Sequence, residues 1–374
     1  MPTSKVLTSA TKFIRPSTLS QPHLIRSPGL TSVINRTSTF QQKRRGHQKT
    51  VVKMATEPTA AEKTAAFEKV LQRNPHGDFK AVEASRPAFD PSPKFTYVQT
   101  PQPDWTYGSG ANSLSTSTTP DKSSSSSSEE QQHIVIDPYT SGRPPAFNYK
   151  LLISAIVPRP IALVSTRSSD GLTENLAPFS YFQVISHDPP LFTLGFASPL
   201  SPAHRAKDTL RILHETGECV INIISSPSFI EAANACSTNA PLGVSEWVVS
   251  GLTPVYDVQT VKAARCKEAG FAVECKLVHV KEFESKSKPG EGAGTTLVVV
   301  EGTRFWIQEG LVNEERNQMD LGGEYRPLAR LGGITYGVVR EGLEIPRPDF
   351  ERDVGGVEGY ERLKKEREAK KEEK

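Results

Sequence analysis

The chain has 374 residues and a formal net charge of +3 at pH 7. This length allows one large domain with extensions or two domains, and so small a net charge argues against a nucleic-acid or anionic-membrane partner. Only 36% of the residues are hydrophobic, which predicts sizeable segments outside a packed core. The sequence has no apolar run of about 18 residues and therefore predicts no membrane-spanning helix.

Residues 1–57 form a basic leader in which the first acidic residue is Glu57. A leader rich in Lys, Arg, Ser and Thr is typical of an organelle transit peptide, which would make the protein mitochondrial. The alternative is a disordered leader ahead of a second start at Met54, which would leave the protein cytoplasmic. Both interpretations stay open, and neither describes a secreted protein.

Residues 58–107 predict a short helix followed by an aromatic arm. Thr59 and Glu62 have the spacing of a capping box, and an apolar face around Phe67 supports the helix. The stretch from Asp78 to Tyr107 is rich in Pro and aromatic residues and has no clear periodicity. We expect this arm to lie on the main domain as extended chain.

Residues 108–132 include six consecutive serines, Ser123 to Ser128, and predict a flexible linker. The folded domain is expected at 133–340, and residues 341–374 form a charged tail that ends in a solvated helix. The strand candidates are Ile161 to Arg167, Asn175 to Ile185, Leu191 to Phe196, Cys219 to Ile224, Ala272 to Glu284 and Thr296 to Gln308. The helix candidates are Thr209 to Glu215 and Phe229 to Cys236. This pattern predicts a mainly β domain with short helices and a barrel-like, mostly antiparallel sheet.

The first two strand candidates are joined by a tight turn, because Asp170-Gly171 supplies the positive φ that a hairpin needs. Pro178 lies inside the second candidate, Asn175 to Ile185, so we expect the ladder to be interrupted there. Backbone groups freed by the interruption, with hydroxyls and aromatics beside them, could hold a flat polar heterocycle.

A candidate anion site lies between Ser201 and Glu215. Arg205 and Lys207 are cationic, and Asp208 and Thr209 open a helix whose N-terminus carries free N–H groups and a partial positive charge. This combination is typical of a phosphate site. The alternative is an ordinary capped helix with exposed basic residues.

The sequence gives little support for a nucleotide-binding loop, a metalloprotease or a serine hydrolase. The sequence contains no GxGxxG, Walker or HExxH pattern, and Ser180 lies in no GxSxG elbow. The cysteines at 219, 236, 266 and 275 show neither CxxC spacing nor a histidine cluster. We therefore interpret them as reduced structural thiols and predict no metal site.

Seven motifs, in this order, carry a family resemblance: PRPIALVST, NLAPFSYF, HDPP, RAKDTLRIL, GECVINI, SEW with GLTPV, and ARLGGITY. Together they resemble the flavin reductase-like domain family, the FMN-binding split-barrel proteins that include flavoredoxins. The resemblance covers Tyr149 to Val339, and the N-terminal arm resembles that of fungal members. It implies a six-stranded Greek-key split barrel that forms a homodimer, with FMN in a groove at the subunit interface.

The resemblance also implies the cofactor-binding residues. Those placed around the isoalloxazine ring are Ser165, Thr166, Asn175, Ala177, Pro178, Ser180 and Phe182. Those placed at the phosphate and ribityl end are Arg205, Lys207, Asp208 and Thr209, with Asn222 on the strand behind. Plain core packing is the alternative for Phe182, and a satisfied polar residue within the sheet is the alternative for Asn222.

The function implied by the resemblance is a flavin reductase that takes hydride from NADH or NADPH to flavin N5 and supplies an oxygenase or an electron-transfer partner. An FMN electron carrier without turnover and a flavin-binding structural or regulatory module are the alternatives. No catalytic side chain is predicted, since the cofactor carries the redox chemistry. No nicotinamide motif is visible in the sequence.

Overall fold

The computed structural model describes residues 75–111, 133–241 and 243–372. All of them lie in the compact unit Pro58–Lys374. The predicted leader, the helix predicted at Thr59 and the serine run at 123–128 lie outside the described residues.

The described part of the chain consists mainly of β-strands, with short helices between them. In chain order the strands are β1 (Thr96–Val98), β2 (Arg159–Pro160), β3 (Ala162–Arg167), β4 (Glu174–Phe179), β5 (Phe182–His187), β6 (Pro190–Phe196), β7 (Glu218–Ile223), β8 (Pro254–Val255), β9 (Arg265–Cys266), β10 (Phe271–Glu284), β11 (Ala293–Ile307), β12 (Leu328–Arg330), β13 (Tyr336–Val338) and β14 (Glu341–Leu343). The α-helices are α1 (Phe79–Ala84), α2 (Pro145–Ala155), α3 (Asp208–Thr216), α4 (Ile230–Ala235), α5 (Glu246–Ser250) and α6 (Gly356–Glu372). Within these residues no helix is long and apolar enough to cross a bilayer.

The main sheet has seven strands in the order β4-β3-β7-β10-β11-β6-β5, and every neighbouring pair in it is antiparallel. The edge strands β4 and β5 are consecutive in the chain and are joined only by Ser180 and Tyr181. Two residues can link opposite edges only if the sheet curls until the edges meet, so the sheet is barrel-like. The mainly β class with short helices is confirmed.

The seventh strand corrects one prediction. The stretch from Asn175 to Ile185 was expected to be one strand broken at Pro178, but it is two strands, and the break falls at Ser180 and Tyr181. Pro178 continues the ladder opposite Leu163. A proline is tolerated there because β4 is an edge strand whose even-numbered residues, like Leu176, turn their nitrogen away from β3.

Two hydrophobic clusters pack on opposite faces of β3. The first cluster includes Ala162 and Val164 of β3 together with Leu210 and Leu213 of α3. The second includes Leu163 of β3 and the side chains that α4, α5 and β12 bury. Side chains of a strand alternate between its faces, so any residue of β3 can be assigned to one cluster or the other.

Helix α3 follows its predicted bounds closely. Leu210, Ile212 and Leu213 are fully buried, and the helix ends at Gly217, whose φ of 71° is the left-handed conformation of a C-cap. The helix therefore begins at a fixed place beside β3 and β4.

The N-terminal arm packs on Arg326 and on the chain from Arg340 to Leu343. Strand β1 pairs in parallel with β14, and the guanidinium of Arg340 lies over the ring of Phe89 and donates to the carbonyl of Asp90. The arm also contains helix α1, where extended chain was expected. The side chain of Asp78 accepts a hydrogen bond from Ala81 N and caps this helix, a local signal that the aromatic composition obscured.

Candidate functional site

The alternation along β3 separates two hydroxyls that were predicted to act together. Ser165 lies on the side of the second cluster, where its Oγ donates to the carbonyl of Ala264. Thr166 lies on the other face, that of Val164 and the first cluster. Only one of the two hydroxyls can therefore contact any single ligand on the α3 side of the strand.

Thr166, Asn175 and Thr209 form a buried polar cluster. Thr166 and Asn175 lie directly opposite each other on β3 and β4 and share a face. Asn175 Nδ2 donates to Thr209 Oγ1 over 2.7 Å, which ties β4 to the first turn of α3. The exposed fractions of the three residues are 1%, 6% and 2%.

The hydroxyl of Thr166 is buried and has no hydrogen-bond partner. Leaving a buried polar group unpaired costs about 1–3 kcal/mol, so native proteins rarely do it without a reason. An acceptor entering at the start of α3 would complete the hydrogen bonding of Thr166 and offset that cost.

The start of α3 is open in the same place. Lys207 occupies the N-cap position, and no side chain caps the helix there. Asp208, the first helical residue, forms an ion pair with Arg211 at 3.1 Å and so does not cap the helix. The first N–H groups of α3 therefore present a partial positive charge with no side-chain acceptor on them.

The segment that leads into α3 is fixed by bonds from the long strands. Lys207 N donates to Ser198 Oγ over 3.3 Å, and the carbonyl of Ser198 accepts from Thr296 Oγ1 over 2.8 Å. The carboxylate of Glu282 accepts from Leu200 N over 2.7 Å. These bonds hold the start of α3 in position through contacts within the protein alone.

Arg205 and Lys207 are exposed cations at this helix start. Arg205 ends a single 3₁₀ turn, and its Nη1 donates to the carbonyl of Glu291 in the β10–β11 loop over 3.2 Å. The structure thus brings together Thr166, Asn175, Arg205, Lys207, Asp208 and Thr209.

The ring-side residues divide between the two faces of β4. Ala177 packs against the first cluster, while Pro178 points to the opposite face. Ser180 is partly buried where the chain passes from β4 to β5.

Two residues have the structural roles that were weighed as alternatives. Phe182 packs on the first cluster and stacks on Phe192 with the ring centroids 6.2 Å apart. Asn222 is fully buried on the second cluster's side. Its Nδ2 donates to the carbonyl of Leu163 over 3.0 Å, and its Oδ1 accepts from Cys266 N over 2.8 Å. With both its polar ends paired inside the sheet, Asn222 is placed with Ser165 and away from Thr166.

Sequence reasoning missed Glu246, a buried carboxylate on the short helix α5. Its Oε2 accepts from Leu176 N over 3.1 Å and so occupies the outward edge of β4 beside the site. Burial raises the pKa of Glu246, a hydrogen bond from Leu176 opposes that rise, and the charge of Asp208 adds to it. The only sequence signal was an acidic residue in the SEW motif, 70 positions from its partner.

The donor set at this site fits the phosphate end of a mononucleotide. An unpaired buried hydroxyl, an uncapped helix start and two exposed cations are all donors or positive charges. The carboxylate of Asp208 is engaged by Arg211. A phosphate monoester presents several acceptor oxygens and negative charge, which complements this arrangement.

Comparison with known proteins identifies the family. Residues 154–329 match the flavin reductase like domain. An uncharacterised protein of Halalkalibacterium halodurans is 34% identical over 210 residues, which is 55% of this chain and 93% of the relative. A protein of Aquifex aeolicus is 37% identical over 190 residues, covering 50% of this chain and 88% of the relative. The chain belongs to the flavin reductase-like domain family, a flavoprotein family, and its function is flavin-related.

Two solved structures are each similar to a little more than half of the chain. Nitrilotriacetate monooxygenase component B from Bacillus cereus is 28% identical. The similarity covers 57% of this chain and 100% of that chain, with a TM-score of 0.49. The 2-nitrobenzoate 2-nitroreductase NbaA from Pseudomonas fluorescens is 30% identical, with 59% and 98% covered and a TM-score of 0.48.

Proposed function

We propose that this protein binds FMN and is a flavin reductase that uses NADH or NADPH. One observation carries the cofactor assignment: the buried, unpaired hydroxyl of Thr166 lies next to the uncapped start of α3. FMN differs from riboflavin by a phosphate, and this arrangement favours a phosphate. Family membership supports the flavin itself.

In this proposal Arg205 and Lys207 supply charge to the phosphate, and the N–H groups at the start of α3 donate to it. Thr166 donates its hydroxyl hydrogen to a phosphate or ribityl oxygen. The hydrogen bond from Asn175 fixes the orientation of Thr209, so that the hydroxyl hydrogen of Thr209 points away from Asn175. The chain's contribution is to bind and orient, while the bound flavin supplies hydride chemistry at N5.

The isoalloxazine ring is proposed to lie along the outer edge of β4. Ala177, Pro178 and Ser180 line that edge, where alternate backbone groups point away from β3. Glu246 holds the N–H of Leu176 and so stiffens the edge next to the ring. The hydroxyl and the backbone groups of Ser180 would contact the polar edge of the ring.

A homodimer is part of the proposal, because helix α2 and strand β5 leave apolar side chains exposed. Helix α2 buries only Ala146 and Ile153, and it exposes Leu151 and Leu152 at 45% and 52%. Strand β5 exposes Val184 and Ile185 at 55% and 53%, respectively. Exposed apolar side chains of this kind are typical of a subunit interface when they form one patch. Sedimentation of the FMN-loaded protein at micromolar concentration should give a dimer, and a monomer would contradict the proposal.

Turnover tests the reductase assignment. Purified protein mixed with FMN and either NADH or NADPH should oxidise the nicotinamide, seen as falling nicotinamide absorbance, while oxygen reoxidises the flavin. A yellow protein without turnover would instead be a carrier or a binding module. A colourless protein with no affinity for flavin would remove all three functions. Transfer of reduced flavin to an oxygenase is the proposed use of the product.

The mitochondrial or cytoplasmic location is proposed to depend on residues 1–57. Imaging of the full chain beside a version that starts at Met54 separates the two alternatives. Mitochondrial signal for the full chain alone supports a transit peptide, and cytoplasmic signal for both supports a plain leader.

A further inference from the structure

Two arginines face each other on neighbouring strands near the proposed ring site. Arg159 of β2 and Arg330 of β12 are directly paired in an antiparallel ladder. Directly opposite side chains lie on one face, with Cβ atoms about 4.5–5.5 Å apart, and like charges in this position are destabilising. Within the described residues, neither guanidinium forms an ion pair with a carboxylate.

The charge of Arg159 is partly balanced inside the fold. Its Nη1 donates to the carbonyls of Ile153 and Ile156 at 2.5 and 2.6 Å, at the C-terminal end of α2. A helix C-terminus carries partial negative charge and stabilises a cation. Burial lowers the pKa of Arg159, Tyr181 opposes this, and the charge of Arg330 lowers it further.

The guanidinium of Arg330 has a different environment. Its guanidinium stacks on the ring of Tyr336 at 4.2 Å, and its Nη2 donates to the carbonyl of Gly333. A guanidinium has five N–H donors, and the bond to Gly333 uses one of those on Arg330. Arg330 is partly exposed, whereas Arg159 is buried. Arg330 therefore presents its guanidinium fork toward solvent, opposite the buried Arg159.

The pair lies beside the proposed ring site. Tyr181, which interacts electrostatically with Arg159, lies between Ser180 and Phe182 in the chain. Tyr149 and Tyr181 are both 42% exposed, and both interact electrostatically with Arg159. A flat or aromatic ligand that carries an oxyanion could lie on these rings and bond the fork.

We propose that Arg330, backed by the buried charge of Arg159, forms an anion subsite for a phosphate or carboxylate of the molecule that exchanges electrons with the flavin. This inference rests on the proposed flavin function. The subsite is separate from the phosphate site at α3, because Arg159 precedes β3, whereas Thr166 lies near the other end of that strand.

Calorimetric titration with inorganic pyrophosphate and with benzoate tests the subsite without turnover. At least one probe should bind the FMN-loaded protein, and Arg330→Gln should weaken that binding about tenfold, the usual effect of losing a charge-assisted bond. Arg330→Lys keeps the charge and should recover part of the affinity. Arg304→Gln, an exposed arginine on β11, is the matched control and should change nothing.

Lys207→Ala separates this subsite from the helix site. If pyrophosphate binding falls in Lys207→Ala and not in Arg330→Gln, the anion belongs to α3 and the proposal is overturned. Absence of binding by both probes also overturns it. If the protein binds no flavin, the proposed function fails by itself, and the same titrations on flavin-free Lys207→Ala still decide whether the arginine pair binds anions. Thermal melting of each variant confirms that it is folded.

Two hydride donors identify the source of the anion. NADH carries a diphosphate, whereas N-benzyl-1,4-dihydronicotinamide carries no anion. A KM for NADH that rises about tenfold in Arg330→Gln, with the KM for the benzyl compound unchanged, assigns the subsite to the dinucleotide phosphates. Weaker benzoate binding with both KM values unchanged assigns it to a carboxylate on the acceptor. Equal rises for both donors would show a general loss of the site and contradict an anion subsite.

Discussion

Two buried polar groups of this protein have opposite surroundings. Glu274 on β10 is fully buried, and its carboxylate accepts from Gln259 N, Trp306 Nε1, Thr260 N and Thr260 Oγ1 at 2.5 to 2.9 Å. Thr166 on β3 is 1% exposed, and its hydroxyl has no partner. The paired carboxylate of Glu274 stabilises the fold by itself, whereas the unpaired hydroxyl of Thr166 is the group that we propose binds a ligand.

Removing Glu274 should have the largest effect on stability. Glu274→Ala removes the acceptor of four hydrogen bonds and should lower the free energy of unfolding by roughly 3–5 kcal/mol, measured by urea denaturation. The affinity of the folded fraction for FMN should not change. Glu361→Ala, on the exposed surface of α6, is the control and should cost almost nothing. An equal decrease in the free energy of unfolding of the two variants would contradict a structural role for Glu274.

Lys207→Ala tests whether the helix start beside Thr166 binds the phosphate of FMN. Loss of a charge-assisted bond should weaken FMN about tenfold to a hundredfold and leave riboflavin almost unchanged. Fluorescence titration with both ligands gives the ratio. Lys267→Ala removes an exposed lysine elsewhere and should leave both affinities alone. A constant ratio in Lys207→Ala would place the phosphate somewhere else.

Removing the arm tests whether the extensions belong to the site. Deletion of residues 1–132 removes β1 and the bonds that Arg326 and Arg340 donate to the carbonyls of Pro91 and Asp90. Stability should fall by about 1–2 kcal/mol, while FMN affinity stays within twofold, because the proposed phosphate site lies in β3, β4, α3 and the segment that leads into α3. Loss of FMN binding by a folded truncated protein would bring the arm into the site.

The neighbouring hydroxyls on β3 provide a matched pair with a smaller effect. Thr166→Val removes an unpaired hydroxyl with little change of shape, so stability should hold or rise, while FMN should weaken about fivefold, or about 1 kcal/mol. Ser165→Ala removes a hydroxyl bonded to Ala264, so it should lower stability and leave FMN affinity unchanged. A common outcome for both variants would erase the distinction between the two faces.

The acid limb of the stability curve is the mildest test. Burial alone would raise the pKa of Glu274, but the hydrogen bonds from Thr260, Gln259 and Trp306 lower it below the ordinary carboxyl value. A lowered folded-state pKa contributes stability above the unfolded pKa and loses it as pH falls through the folded one. Wild type should therefore lose more stability than Glu274→Gln as pH drops below the ordinary carboxyl range. Parallel curves from urea melts would contradict this.

Local patterns were sufficient for much of the fold. The hairpin at Asp170-Gly171 forms as predicted, with Gly171 at a φ of 73°, and α3 keeps its predicted bounds closely. The division of Asn175 to Ile185 into two edge strands was missed, because the run of apolar and aromatic residues does not reveal that the sheet curls on itself.

The site was predicted as a set of residues but not as a geometry. The two-residue period of a strand already places Ser165 and Thr166 on opposite faces, and applying it would have separated them. The contacts of Glu246 with β4 and of Arg330 with Arg159 join distant parts of the chain. No local pattern encodes such pairs, since they depend on the closed sheet.

The start of α3 and the Thr166 cluster are proposed to bind the phosphate of FMN, and the flavin assignment depends on this. It is checked by measuring the affinity of the wild-type protein for FMN and for riboflavin under the same conditions. We expect FMN to bind at least about tenfold more tightly, the effect of one charge-assisted phosphate contact. Equal affinities, or no affinity for either flavin, would contradict the assignment.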